Sequence, residues 1–223
     1  MEVVVTGGDT ALGRTVAQGF RDDGHRVTLV GAGEAELAVA AGELDAEAIV
    51  CDTTDPASLK AARTQFPHHL DTIVNVPAPT WEAGDPRTYS LADTATAWRR
   101  TLDATLLSAV LTVRCVGDQL RSGGNIIGVL TENPAVGSID AAIKAALADW
   151  VGGQAEVYGT RGITVNAVAC GRSSQAGYPG LSRTPVPVAE EIARLSLFLT
   201  TPAARHITGQ TLHVSHGALA QFA

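Results

Sequence analysis

Val3-Val4-Val5 is a β-branched run, and Thr6-Gly7-Gly8-Asp9-Thr10-Ala11-Leu12-Gly13 carries it straight into a helical pattern that lasts through Phe20. This strand, glycine turn and helix constrain the chain more than any other feature. Gly7 permits a tight turn, and Gly13 permits close packing of the helix against the strand. A helix that opens this way aims its unpaired amides outward, where they suit a pyrophosphate. Alone, such a turn is weak evidence, because a plain strand-helix turn reads the same way.

The rest of the chain repeats the alternation. Val27-Thr28-Leu29-Val30, Ala48-Ile49-Val50 and Thr72-Ile73-Val74-Asn75 read as strands two to four. A long helix is predicted over about residues 94–121, with Leu102, Leu106, Val110, Val113 and Leu120 near helical spacing. Ile126-Ile127-Gly128-Val129-Leu130 reads as strand five, residues 140–158 as a helix, and Ile163-Thr164-Val165-Asn166-Ala167-Val168 as strand six. A last helix over 189–199 precedes Thr211-Leu212-His213-Val214. Strands separated by helices predict one α/β domain over 1–223, a doubly wound Rossmann-type fold with a seven-stranded parallel sheet. A hydrophobic share of 45% against 17% charged residues suits buried parallel strands under Ala-rich helices.

Charge excludes some functions. The net charge is −7 with no basic run, which argues against nucleic-acid binding by phosphate neutralisation. Cys51, Cys115 and Cys170 are odd in number and widely spaced, so reduced thiols are expected and no metal cluster. The first strand begins almost at Met1 and no apolar run is long enough to span a bilayer, so a cytoplasmic protein without membrane contact is expected.

Several segments, in order, resemble the short-chain dehydrogenase/reductase family. The turn resembles its Thr-Gly-x-x-x-Gly-x-Gly, with Ala11 for the middle glycine. Cys51-Asp52 resembles the acidic position that hydrogen-bonds adenine. Asn75-Val76-Pro77-Ala78 resembles Asn-Asn-Ala-Gly, with Asn75 kept. The run from Gly162 to Gly171 resembles the segment ending Pro-Gly, with Cys170 for proline. Ile207-Thr208-Gly209-Gln210-Thr211-Leu212-His213-Val214 resembles the last strand, but ends Ser215-His216-Gly217 instead of Asp-Gly-Gly. The resemblance implies a nucleotide site formed by Thr6, Gly7, Asp9, Leu12, Gly13, Asp52, Asn75, Lys144 and Gly171.

The resemblance also implies a catalytic set, and here the chain departs from it. Ser138-Ile139-Asp140-Ala141-Ala142-Ile143-Lys144 resembles Tyr-x-x-x-Lys, with Asp140 where the family has tyrosine. Carried over by position, Thr131 stands for the serine, Asp140 for the tyrosine, Lys144 for the lysine and Thr105 for the asparagine of the long helix. A phenol donates its proton from a reference pKa of about 10, whereas a carboxylic acid has lost its proton above about 3.9. A carboxylate accepts a proton and cannot give one. Outside the site, Asp140 and Lys144 would form only an i,i+4 ion pair. Tyr178, His216 and Glu132 are the candidates to replace the missing donor, Tyr178 the best of them, against the ordinary readings of a packed aromatic, a surface imidazole and a loop acid. The irregular stretch 171–187 is shorter than the family's cover, which implies an open or shallow pocket.

The expected function is an NAD(P)-dependent oxidoreductase with a degenerate site. The alternative is a non-catalytic dinucleotide sensor or assembly subunit. No acid or arginine stands at Gly31-Ala32-Gly33, and Asp9 carries a charge that repels a 2′-phosphate, so NAD is expected over NADP. Capping of the first helix is the competing role for Asp9, and lost dinucleotide binding is the competing outcome. Family resemblance further implies a homo-oligomer, a tetramer paired through helices 94–121 and 140–158 and through residues 212–222. Ala145, Ala148, Gly152 and Ala155 would let helices meet closely across an axis.

Overall fold

The computed structural model describes residues 1–77, 88–130, 138–170 and 188–214. Seven strands form one sheet: β1 (Glu2–Thr6), β2 (Arg26–Gly31), β3 (Glu47–Val50), β4 (Leu70–Asn75), β5 (Leu120–Leu130), β6 (Thr164–Cys170) and β7 (Thr211–Val214). All neighbours pair in parallel, in the order β3-β2-β1-β4-β5-β6-β7. The helices are α1 (Ala11–Asp22), α2 (Glu34–Leu44), α3 (Pro56–Ala62), α4 (Leu91–Leu102), α5 (Ser108–Val116), α6 (Ile139–Gly159) and α7 (Val188–Leu199).

Successive strand residues point to opposite faces, so each inner strand feeds two cores. Val4, Ile73, Ile126 and Val165 face α3, α5 and α6, which contribute Leu59, Val113, Leu147 and Val151. Val3, Val5, Leu29, Val74, Ile127 and Val168 face α1, α2 and α7, which contribute Phe20, Leu37 and Ile192. Both faces are therefore dry along the inner strands, though not along the edge strands β3 and β7, which explains why the inner strands read as apolar runs. Burying each such side chain stabilises the fold by about 1.5–3 kcal/mol before entropy is counted.

Polar groups fix the connections. Asn166 is buried; its amide donates to Ile207 O at 2.8 Å and its Oδ1 accepts from Gln210 N at 3.1 Å, which seats the link into β7. Two sequence expectations need correction. The helix expected over 94–121 stops at Val116, and Arg121 already lies in β5, which begins at Leu120 because that side chain is fully buried in the core. The helix is also interrupted by a π-helical turn, Asp103–Leu107, that separates α4 from α5.

The order of strands turns at β1, whose neighbours are β2 on one side and β4 on the other. In such sheets ligands bind in the crevice beyond the carboxyl ends at this switch point. Thr6 ends β1 and Asn75 ends β4, so two of the residues expected at the nucleotide site flank it.

Candidate dinucleotide site

The turn after β1 is built without slack. Gly7 has φ of +62°, and a Cβ there would lie 2.9 Å from Pro77 O. A Cβ on Gly13 would lie 2.0 Å from Gly7 O, so no side chain fits where α1 crosses the turn. Thr6 is buried and its hydroxyl donates to Val76 O at 2.9 Å, which ties the end of β1 to the segment after β4. Leu12 is half-buried and packs on the core shared by α1, α2 and α7. Ala11 is exposed at the start of α1, so its methyl stands on the open side of the turn.

Thr10, not Asp9, caps α1: Gly13 N donates to Thr10 Oγ1 at 3.0 Å. The capping role considered for Asp9 is thereby overturned. Asp9 instead reaches the end of β2, where its Oδ2 accepts from Gly33 N at 2.9 Å.

Asn75 is buried at the end of β4, and both its amide nitrogen and its amide oxygen lack a hydrogen-bond partner among the described residues. A buried carboxamide left unpaired at both atoms is costly, so a polar ligand in the crevice is what it suits. Asp52 is exposed after β3, with its Oδ1 accepting from Thr54 N at 2.8 Å and Thr54 Oγ1 at 2.7 Å. These residues fit a dinucleotide: a glycine cradle, an open helix end, an unpaired carboxamide and an acid at the rim.

The catalytic positions are less gathered. Ser138 caps α6 by accepting from Ala141 N, so Asp140 falls in the first turn of that helix and is exposed. Lys144 lies one turn on, half-buried, with Nζ 3.4 Å from His213 Nδ1 on β7. Burial and the Lys144 ammonium push the His213 imidazole below its ordinary range. Thr105 sits within the π-helical turn, half-buried, with its carbonyl 3.5 Å from Ser108 Oγ. Such turns are frequent at functional sites. Thr131, Glu132, Gly171, Tyr178 and His216 lie outside the described residues. Reading the sequence did not mark His213. Only the parallel pairing of His213 with Ala169 brings β7 beside α6, and no spacing along the chain reveals that.

Among the described residues, no helix is long and apolar enough to cross a membrane, and no group of three or more His, Cys, Asp or Glu side chains could hold a metal ion.

The comparisons with known proteins agree with this fold. A family model described as enoyl-(acyl carrier protein) reductase matches residues 8–218. A Mycobacterium tuberculosis protein named as an oxidoreductase is 73% identical over 222 residues, covering 100% of both chains. A Staphylococcus aureus 3-oxoacyl-(acyl-carrier-protein) reductase is 30% identical over 243 residues, covering 96% of this chain and 96% of its own. A solved Burkholderia cenocepacia short-chain dehydrogenase in complex with NADP matches with a TM-score of 0.77 and 26% identity, over 96% of this chain and 95% of that one.

Proposed function

The chain belongs to the short-chain dehydrogenase/reductase family, and from that premise we propose that it binds NAD in the crevice between β1 and β4 as an oxidoreductase with a remodelled proton-transfer site. The observation that carries this reading is Asn75, buried at the switch point with both amide atoms unpartnered among the described residues. The M. tuberculosis relative, similar over its whole length, bears an oxidoreductase name and supports the redox class.

A dinucleotide held there would supply hydride-transfer chemistry. This chain's residues do the rest. The turn from Gly7 to Gly13 and the first amides of α1 would hold the pyrophosphate. Asn75 would hydrogen-bond a ligand in the crevice through the two amide atoms that the described residues leave unpaired. Lys144 presents a positive charge one turn into α6, where it favours a ribose hydroxyl or a developing oxyanion. Asp140 offers a proton acceptor where the family has a donor. A site built this way favours removal of a proton from an alcohol over delivery of one to a carbonyl.

The preference for NAD rests on Asp9 and on the lack of a cation at Gly31-Ala32-Gly33. The solved B. cenocepacia relative is in complex with NADP and lends that preference no support. Calorimetric titration with NADH and NADPH is the test. NADH should bind more tightly; tighter NADPH binding removes the preference, and binding of neither removes the dinucleotide reading.

A second reading is a dinucleotide sensor without turnover. It is favoured by the exposure of Asp140 and the approach of Lys144 to His213 on β7. A redox screen over mixed alcohols and carbonyls separates the two, since only the oxidoreductase changes NADH absorbance.

A further inference from the structure

We infer that Asp9 is the ribose-reading acid of this protein, delivered from the turn after β1 instead of from the end of β2. The inference rests on the dinucleotide reading above and assigns the residue that sets its specificity. In sheets of this kind an acid at the end of β2 hydrogen-bonds the ribose 2′-hydroxyl. Here β2 ends in Gly31, followed by Ala32 and Gly33, and none of these can do so.

The structure gives the reason for that blank. A Cβ on Gly31 would lie 2.6 Å from both Cγ and Oδ1 of Asp9, and 3.0 Å from Oδ2. The space that a side chain from β2 would enter is already filled by the Asp9 carboxylate. Only one acid fits, and it comes from the turn after β1. Gly33 makes room as well, since a Cβ there would lie 3.2 Å from Asp9 Oδ2. Its backbone N–H holds that oxygen at 2.9 Å, so the carboxylate is oriented before any ligand arrives.

The other carboxylate oxygen is unused. Oδ1 of Asp9 is buried and accepts no hydrogen bond among the described residues. A carboxylate oxygen only accepts, and leaving one buried without a donor costs free energy. A vicinal diol offers two donors at the spacing of a carboxylate. The ligand class is therefore a nucleoside diphosphate with a free ribose diol.

The surroundings oppose a 2′-phosphate. Glu36 adds a second carboxylate: its Oε2 would lie 2.9 Å from a Cβ on Gly33. Arg14 is a nearby cation among the described residues; its Nη2 donates to Glu36 O at 3.0 Å, its Nε is buried without a partner among the described residues, and the side chain lines the groove between α1, α2 and α7. A phosphate carrying about −1.5 to −2 charge would meet two carboxylates at close range.

Fluorescence titration of the folded protein with NADH and NADPH tests the assignment through binding alone. The parent should prefer NADH. Asp9→Asn keeps the shape and removes the charge; it should lower the NADH-to-NADPH affinity ratio by about tenfold or more, the value of a hydrogen bond to a charged group. The double variant Asp9→Gly, Gly31→Asp returns the acid to β2 and should restore the preference. Gly31→Ala approaches from the other side: its methyl displaces the Asp9 carboxylate and should weaken NADH binding, whatever the fate of Asp9→Asn. If the parent prefers NADH while Asp9→Asn leaves the ratio within about twofold of the parent, the inference is wrong and the dinucleotide reading survives. If the parent binds neither dinucleotide, both fall together.

Discussion

Asp140 and Lys144 occupy successive turns of one helix, yet they play unlike parts. Asp140 is exposed in the first turn of α6, where a carboxylate complements the positive end of the helix. That alone can keep an acid there. Asp140→Tyr removes this small benefit and puts a phenol one turn before Lys144. General acids are worth about 10²–10⁴-fold in rate. We expect the variant to fold and to reduce a reactive diketone with NADH faster than the parent by a factor in that range. Equal rates in two folded, NADH-binding proteins would show that the phenol is not what limits turnover. Lys144 can also be read through its neighbour. Its charge, after burial, lowers the His213 pKa. The folded state therefore favours neutral imidazole, and this contribution to stability is present above the free-histidine value of about 6.5 and is lost as pH falls below it. An NMR titration should find His213 protonating below free histidine, and Lys144→Gln should move the midpoint upward. A midpoint that stays put would mean the two side chains do not meet in solution.

Two elements carry the proposed site, and each is shaped by backbone packing rather than by side-chain chemistry. The β1-α1 turn closes because Gly13 has no Cβ to strike Gly7 O. Gly13→Ala is expected to lower stability by about 1–3 kcal/mol, the usual cost of overpacking, and to open the turn. Chemical denaturation measures the first effect and NADH titration the second. A variant as stable as its parent would show that the turn can shift as a unit. The α4-α5 element breaks at Asp103–Leu107 into a π-helical turn, and Ser108 Oγ takes up the carbonyl of Ala104 at 2.7 Å inside it. The hydrophobic pattern runs on through this break, so periodicity alone predicted one helix. The end of α5 was equally hidden. Val116 is followed by Gly117 in a short 3₁₀ turn, and Leu120 then enters the core as part of β5.

At the scale of the molecule, one helix is left over. No residue of α4 is buried, and Leu91 is 92% exposed on it, with Trp98 and Leu102 also exposed. Leu107, just beyond, is exposed too. An apolar surface of this kind on an otherwise well-packed chain calls for a partner. The homo-oligomer is therefore proposed to pair through α4, most simply about a two-fold axis. Part of the expected α6 contact needs revision. Ala155 is buried within the chain against the link into β7, where a Cβ on Gly209 would lie 3.4 Å from Ala155 Cβ, whereas Gly152 is exposed with open space where its own Cβ would stand. Light scattering should find a multiple of 23.0 kDa at micromolar concentration. The double variant Trp98→Glu, Leu102→Glu should shift it toward the monomer. A parent that is itself monomeric would rule the pairing out.

The chain's own pattern determined the α/β class, the seven strands and the glycine turn, because apolar runs between helices have few ways to be buried on both faces. It also exposed Asp140 in place of tyrosine, since a spacing of four residues before lysine is a local fact. Tertiary structure decided the rest. Asp9 could be read as a cap or as a lone repelling charge until the sheet brought β2 alongside β1 and set Gly31 beneath its carboxylate. Asn75 became informative only when folding buried it and left both amide atoms unpaired. His213 came to Lys144 across 69 positions of sequence. Each of these depends on which strands lie side by side. Strand order follows from the burial of the whole sheet, and no short stretch of residues contains it.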